Sequence, residues 1–325
     1  MFHTQSIHTT LLRLLLICLL GWGVGAKLFA QNEAQVSMYH AMPTYYNPAA
    51  AGQDSALHIS TFHRMQWMGV ENAPRTFFFG VDLPFKFLKR QHGVGLALGN
   101  DQAGLFNTTS FGFQYAYRSK PLWGGFLSIG AEVGGINQSF AGGEIYIPEG
   151  DAWESTDDAL PSTDVSAMAF DCSFGLRYEH TLFYAGISGR HLTQPVIDLD
   201  EYAYSEQARV FYFEAGGNIP VPRSLYILQP SILLKTTLGV TQVDYSLRAT
   251  YDRKFWGGLT YRPGDAVVVM LGMHLKTLTV GYAYDIGISP LANAAGGSHE
   301  IMVSYTLKLD LDKKVKHRHK SIRIL

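Results

Sequence analysis

Cysteine is nearly absent from this chain: two in 325 residues, with Cys18 inside an apolar amino-terminal run and Cys172 alone thereafter. One remaining cysteine excludes an internal disulfide framework and a Cys-based zinc site. Charge is also scarce. Charged residues make up 16% of the chain, well below the roughly 25% of ordinary soluble proteins. Long apolar runs are missing after the first thirty residues, which argues against helical spans, since each needs about 20 apolar residues. With 26 basic and 27 acidic residues the net charge is -1, so nothing points to nucleic acid. Helical periodicity is absent from long windows, and Gly and Pro interrupt too often for helices.

The first thirty residues read as a secretory signal. Arg13 precedes the apolar run 14–26, and Ala30 closes a cleavage stretch, KLFA, before Gln31. Ile17 before Cys18 is not the small residue that a lipoprotein site requires. A single membrane anchor is the competing reading, but the run is short and lacks a stop-transfer flank.

What the mature chain does have is alternation, in segments of about ten residues, the length of a tilted strand crossing a bilayer. Phe111, Phe113, Tyr115 and Tyr117 oppose Ser110, Gly112, Gln114, Ala116 and Arg118. Met168, Phe170, Cys172, Phe174, Leu176 and Tyr178 oppose Asp171, Ser173, Gly175, Arg177 and Glu179. Val243, Tyr245, Leu247, Ala249 and Tyr251 oppose Asp244, Ser246, Arg248, Thr250 and Asp252. Similar runs near 56–64, 75–83, 93–100, 126–137, 182–191, 209–218, 225–236, 255–262, 266–274, 278–286 and 298–309 bring the expectation to about fourteen strands.

Charge placement separates a membrane barrel from a soluble two-sheet sandwich. A soluble sandwich presents a polar face rich in Lys and Glu. Here that face carries Gly, Ser and Thr with single charges, while Tyr and Phe end the apolar face, as small lumenal residues and interfacial girdles would require. Closure also removes sheet edges that a bilayer does not tolerate. The expected fold is all-β, a transmembrane antiparallel barrel over residues 53–309. A short segment, 31–52, precedes it as a cap or plug, and a basic tail, 310–325, follows. The outer membrane is the expected location.

Two stretches break the rhythm. Residues 139–166 hold Glu144, Glu149, Asp151, Glu154, Asp157, Asp158 and Asp164, with no Lys or Arg between Lys120 and Arg177. Long loops lie outside in bacterial barrels, so this stretch reads as an extracellular loop or a plug. It lacks EF-hand spacing, which leaves a solvated loop ahead of a Ca²⁺ site. Residues 192–208 are a second candidate loop. The tail from Asp312 to Leu325 is strongly basic and includes His317 and His319; it suits either electrostatic docking on the periplasmic side or simple solvation.

Four motifs in order resemble the PorP/SprF family of the type IX secretion and gliding machinery of Bacteroidota. The first is QVSMYHAMPTYYNPAAAG, ending in Asn47, Pro48 and Gly52. The second matches R-x-Q-W-x-G…P-x-T through Arg64, Gln66, Trp67, Gly69, Pro74 and Thr76. The third is GLTYRPGDAVVVMLG, with Tyr261 and Arg262, and the fourth joins YAYDIGISPL, with Asp285, to Ser298, His299 and Glu300. The resemblance covers about residues 31–309. It implies a non-enzymatic outer-membrane component, without cofactor, that supports export or surface anchoring of proteins with C-terminal sorting domains. Partners implied are outer-membrane lipid, components of the periplasmic ring or peptidoglycan-associated proteins, and a secreted adhesin. A channel or FadL-like small-molecule transporter is the alternative.

The motifs also carry bland readings. Asn47-Pro48 initiates a turn and limits Asn47 to extended backbone. Arg64, Gln66 and Trp67 suit either a guanidinium stacked on an indole that pins a periplasmic or lumenal segment or a girdle tryptophan with an ordinary turn. Asp285, His299 and Glu300 invite an acid–base or metal reading, but Asp285 and Glu300 have inward parity and His299 outward parity. A hydrolase on Ser298-His299 lacks the geometry of a triad. GVGLALG at 93–99 alternates as a strand, so its glycines read as small inward residues and not as a phosphate loop.

Overall fold

The computed structural model describes residues 33–144, 161, 163–200, 204–290 and 295–311. The signal reading for 1–30, most of the acidic stretch and the tail beyond 311 lie outside these residues. Strand-forming alternation becomes a wall of fourteen antiparallel strands: β1 Ala56–Met65, β2 Arg75–Phe87, β3 Arg90–Ala103, β4 Phe106–Arg118, β5 Phe126–Ala141, β6 Asp164–Glu179, β7 Phe183–Arg190, β8 Val210–Gly217, β9 Tyr226–Thr236, β10 Thr241–Tyr251, β11 Phe255–Arg262, β12 Ala266–Leu275, β13 Leu278–Gly287 and β14 Ser298–Lys308. A two-residue spur, Ile219–Pro220, hydrogen-bonds only to β9.

Each strand pairs with its sequence neighbour, including β8 with β9. The ring closes where β1 pairs with β14, from Ala56 opposite Lys308 to Met65 opposite His299. No unpaired edge remains in the wall, which is what a hydrocarbon environment demands. Among the described residues, no helix is long and apolar enough to cross a membrane.

The alternation sorts the faces as the sequence implies. Phe113 is 61% exposed and Leu271 58%, alongside Val133, Phe170, Leu247 and Leu259 on neighbouring strands. Between them, Gln114, Ser173, Ser246, Thr260 and Ser304 are buried inside. Several strands outrun their sequence signals. β2 and β3 continue to Phe87 and from Arg90, joined by Leu88-Lys89. Both turn residues have positive φ, 48° and 60°, the backbone of a two-residue hairpin turn. Gly and Asn usually announce that turn; their absence here hides it.

Connections differ at the two ends. The wall leads into its β1–β2, β5–β6, β7–β8 and β13–β14 connections at one end, where a small hairpin pairs Val196–Asp198 with Tyr204–Glu206. At the other end lie 88–89, 119–125, 180–182, 218–225, 252–254 and 276–277, the start of β1 and the finish of β14.

The interior is not hollow. A core of Met38, Tyr39, Met42 and Tyr46 packs against Phe62, Phe78, Tyr212, Leu233, Trp256, Val268, Met270 and Met302. The first four come from the segment before β1, the rest from the wall.

Candidate functional site: a lumenal charge network around the amino-terminal segment

Residues 33–52 run down the inside of the barrel. Glu33 lies at the end with long connections, beside Arg190 and His191, and Gly52 lies at the opposite end, against the backbone of Leu83, Pro84 and Gly93. The segment forms only short helical turns, Tyr39–Ala41, Pro43–Tyr46 and Pro48–Ala50. Proline at Pro43 and Pro48 suits the first position of each turn, where no N–H is required.

Two buried arginines organise the upper lumen. Arg64, in β1, donates from Nη2 to Asp285 (2.7 Å) and from Nη1 to Glu300 (3.3 Å) and to Ser37 Oγ (2.9 Å). Arg262, at the end of β11, grips both carboxylate oxygens of Asp244 at 3.0 and 2.9 Å. Its remaining nitrogen reaches Asp285 at 3.1 Å and Asp265 at 3.3 Å. The planar guanidinium fork fits two-point carboxylate binding, which an ammonium cannot reproduce. Glu300 and Arg262 are both 0% exposed, so Glu300 depends on Arg64, and Arg262 on Asp244 and Asp285. Glu300 in turn accepts from the backbone N–H of Ser37 (2.7 Å) and Met38 (2.8 Å), while Ser37 Oγ donates to Asp285 at 2.8 Å. The network therefore ties five strands, β1, β10, β11, β13 and β14, to the inner segment.

A second cluster holds Glu33. Its carboxylate accepts from Arg190 (2.6 Å) and meets His191 Nε2 at 3.0 Å, and His191 Nδ1 meets Asp171 at 2.8 Å. Lys235 donates to the Glu33 carbonyl at 3.3 Å. Burial alone would raise the Glu33 carboxyl, yet Arg190, His191 and Lys235 hold it well below the ordinary 4.5. Burial would likewise lower His191, but its hydrogen bonds to Asp171 and Glu33 raise it from 6.5 to about 9.

A third cluster sits lower. Asn47 has extended backbone (φ -138°, ψ 109°) and its side chain accepts from Ala49 N at 3.0 Å. Its amide donates to the Leu176 carbonyl at 3.1 Å and reaches Glu214, the partner of Arg177. Gly52, at φ 60°, donates its N–H to Asp82 at 2.8 Å. A side chain there would strike the backbone of Leu83 and Gly93, so the close approach and the positive φ both call for glycine.

The remaining motif residues stand nearby. Gln66 N donates to the Pro74 carbonyl at 2.9 Å, and Trp67 N to Ser298 Oγ at 3.1 Å. Thr76 Oγ1 donates to Asp101 at 2.5 Å. Tyr261 faces outward, half exposed, beside inward Arg262. Arg64 lies inside β1, where it holds the lumenal segment through carboxylates; its guanidinium does not stack on Trp67, because strand parity aims it into the lumen. Asp285 and Glu300 share that network, whereas His299 lies on the outer side with the Tyr282 hydroxyl 2.7 Å from its Nδ1. The three therefore do not converge. Among the described residues, no group of three or more His, Cys, Asp or Glu side chains is arranged to hold a metal ion.

Ser37, Glu33, Arg190, His191 and Glu214 were not visible as site residues. For Arg190 and Glu214, a charge at inward parity in a charge-poor strand was the available signal. Ser37 and Glu33 precede the strands and carry no parity at all. Chemically the arrangement fastens a segment inside a wall: the buried carboxylates and guanidinium groups of these three clusters are paired with other groups of the chain.

A family model described as type IX secretion system membrane protein PorP/SprF matches residues 28–305. No match is found among curated proteins. Among solved structures, the chain is similar to the CymD monoaromatic hydrocarbon channel, with 13% identity, a TM-score of 0.50, and coverage of 89% of this chain and 96% of that one. It is similar to the toluene transporter TbuX of Ralstonia pickettii, with 11% identity, a TM-score of 0.51 and the same coverage. At such identities the likeness is one of fold alone.

Proposed function

The chain belongs to the PorP/SprF family, outer-membrane barrel components of the type IX secretion system, and from that premise we propose that it performs no chemistry of its own and serves as an anchoring surface. On this reading it supports export or surface attachment of sorting-domain cargo through protein–protein contacts. The observation that carries it is the filled lumen: segment 33–52 is bonded to the wall from Glu33 and Arg190 at one end to Gly52 and Asp82 at the other. A barrel fastened in this way suits holding a partner better than passing a solute.

In the usual orientation of bacterial barrels the long connections are extracellular and the short turns periplasmic. Residues 66–74, 191–200, 204–209, 288–290 and 295–297 are then offered to exported cargo. The short turns, with the basic tail beyond, face the periplasmic ring or peptidoglycan-associated partners. Deleting the gene should leave sorting-domain cargo in the periplasm or lost to the medium, and re-expression should restore surface display. Normal display in the deletion strain would sink the proposal.

The runner-up is a small-molecule transporter, favoured by the likeness to hydrocarbon channels over nearly the whole barrel. Planar-bilayer recording separates the two. Steady conductance through the intact chain supports transport, and a closed barrel supports anchoring.

A further inference from the structure

We propose that the lumen is a peptide-binding channel and that residues 33–52 are its resident, exchangeable ligand. The first support is architectural. The wall closes without the segment, through β1 with β14 and β8 with β9, and the segment contributes no strand to any ladder. Its departure would break no wall hydrogen bond. It is tied covalently at one described place, Gln53–Ser55, where Asp54 and Ser55 are exposed.

The second support is the way the wall holds it. Many bonds go to main-chain atoms, which any peptide on the same path would offer. Glu300 accepts the N–H groups of Ser37 and Met38, and Asp82 accepts that of Gly52. Gln114 donates to the Thr44 carbonyl at 2.9 Å and Ser188 to the Tyr46 carbonyl at 2.7 Å. A wall that binds backbone in this way resembles a receptor groove, where main-chain bonds supply affinity and side-chain pockets supply choice.

Selectivity comes from the side chains. Met38, Tyr39, Met42 and Tyr46 are buried, and Ala49 and Ala51 lie so close to Gly130 and Gly93 that no Cβ fits between. The channel therefore suits a polypeptide coiled in short helical turns, with Met and Tyr along its upper half and an Asn-Pro-Ala turn at the deep end. Water entering the vacated lumen would solvate Arg64, Arg262, Asp285 and Glu300, so the charges do not forbid exchange. The proposal concerns the lumen itself and stands or falls independently of any role in secretion.

The test begins with folded, full-length barrel carrying a protease site inserted between Gln53 and Ser55. After cleavage in detergent, bound segment is exchanged against an excess of fluorescent synthetic peptide of residues 31–55. Uptake of one labelled peptide per barrel, competed by unlabelled peptide, is expected. In planar bilayers, cleaved barrel washed at high salt should conduct, and the peptide should abolish the current. A peptide with Met38, Tyr39, Met42 and Tyr46 all replaced by serine should do neither. Because cleavage follows folding, misfolding does not cloud the result. No exchange after cleavage, or a current indifferent to the peptide, would overturn the proposal, as would equal block by the serine peptide. Loss of cargo display in the deletion strain can accompany either outcome, so the two hypotheses fail separately.

Discussion

At the scale of single residues, the lumen works by making each buried charge depend on another. Arg64 bridges Asp285, Glu300 and Ser37. Arg64→Ala strands two carboxylates in the interior, and removing one member of a buried pair costs about 3–5 kcal/mol. The folded band of the variant should therefore convert to the unfolded band at lower temperature on semi-native gels, with Arg64→Lys in between because the fork is lost. The Glu33 latch is pH-dependent. Glu33 faces Arg190, His191, Lys235 and Asp101, while His191 faces Asp171, Glu33 and Arg190. The His191 contribution is complete below its ordinary 6.5 and is lost as pH rises through about 9. The Glu33 contribution is present above the ordinary 4.5 and declines as pH falls below it. Protection factors at residues 33–38, each taken against the intrinsic exchange rate at that pH, should fall on titration from pH 7 to pH 10, and the fall should be smaller in His191→Gln. A flat profile in the parent would contradict the latch.

Among whole elements, glycines decide where the wall and the inner segment can touch. A Cβ on Gly93 in β3 would meet the Ala51 carbonyl, one on Gly130 in β5 the backbone of Ala49, and one on Gly175 in β6 the Asn47 side chain. Gly93→Val should lift the deep end of the segment, making residues 48–55 sensitive to protease while the ring stays folded by gel mobility. Intact resistance would show that the approach is not needed. From alternation alone the glycines of 93–99 read as small inward residues. The parity was legible; for Gly93 the neighbour that demands smallness, Ala51, was not, since it lies more than forty positions away along the chain. The tight turn Leu88-Lys89, which lacks glycine, hid how far β2 and β3 extend, whereas β11 falls on the 255–262 read from the alternation.

For the molecule as a whole, the governing solvent is lipid on one face and packed polypeptide on the other. Leu271, on β12, lies on the outer face while Met270 beside it is buried in the core. Leu271→Arg places a charge in the apolar belt, which costs about 2–4 kcal/mol near the bilayer midplane. Denaturant titration of folding into vesicles should show that loss, and Leu271→Phe should show little. The fourteen-strand ring closed by β1 and β14 was readable because each span announces itself by a period of two, and a bilayer forbids leaving the first and last strands unpaired.

Alternation and charge scarcity, both properties of the sequence alone, determined the barrel, its strand number and the face each strand turns to lipid. Ordered motifs carried the family and singled out Arg64, Arg262, Asp285 and Glu300. Only the tertiary structure decided which inward charges meet, because parity names a face but neither a depth nor a place around the ring. It also decided the course of residues 33–52 through the lumen. That segment has no period to read, and its path is set by side chains of strands far away in the chain.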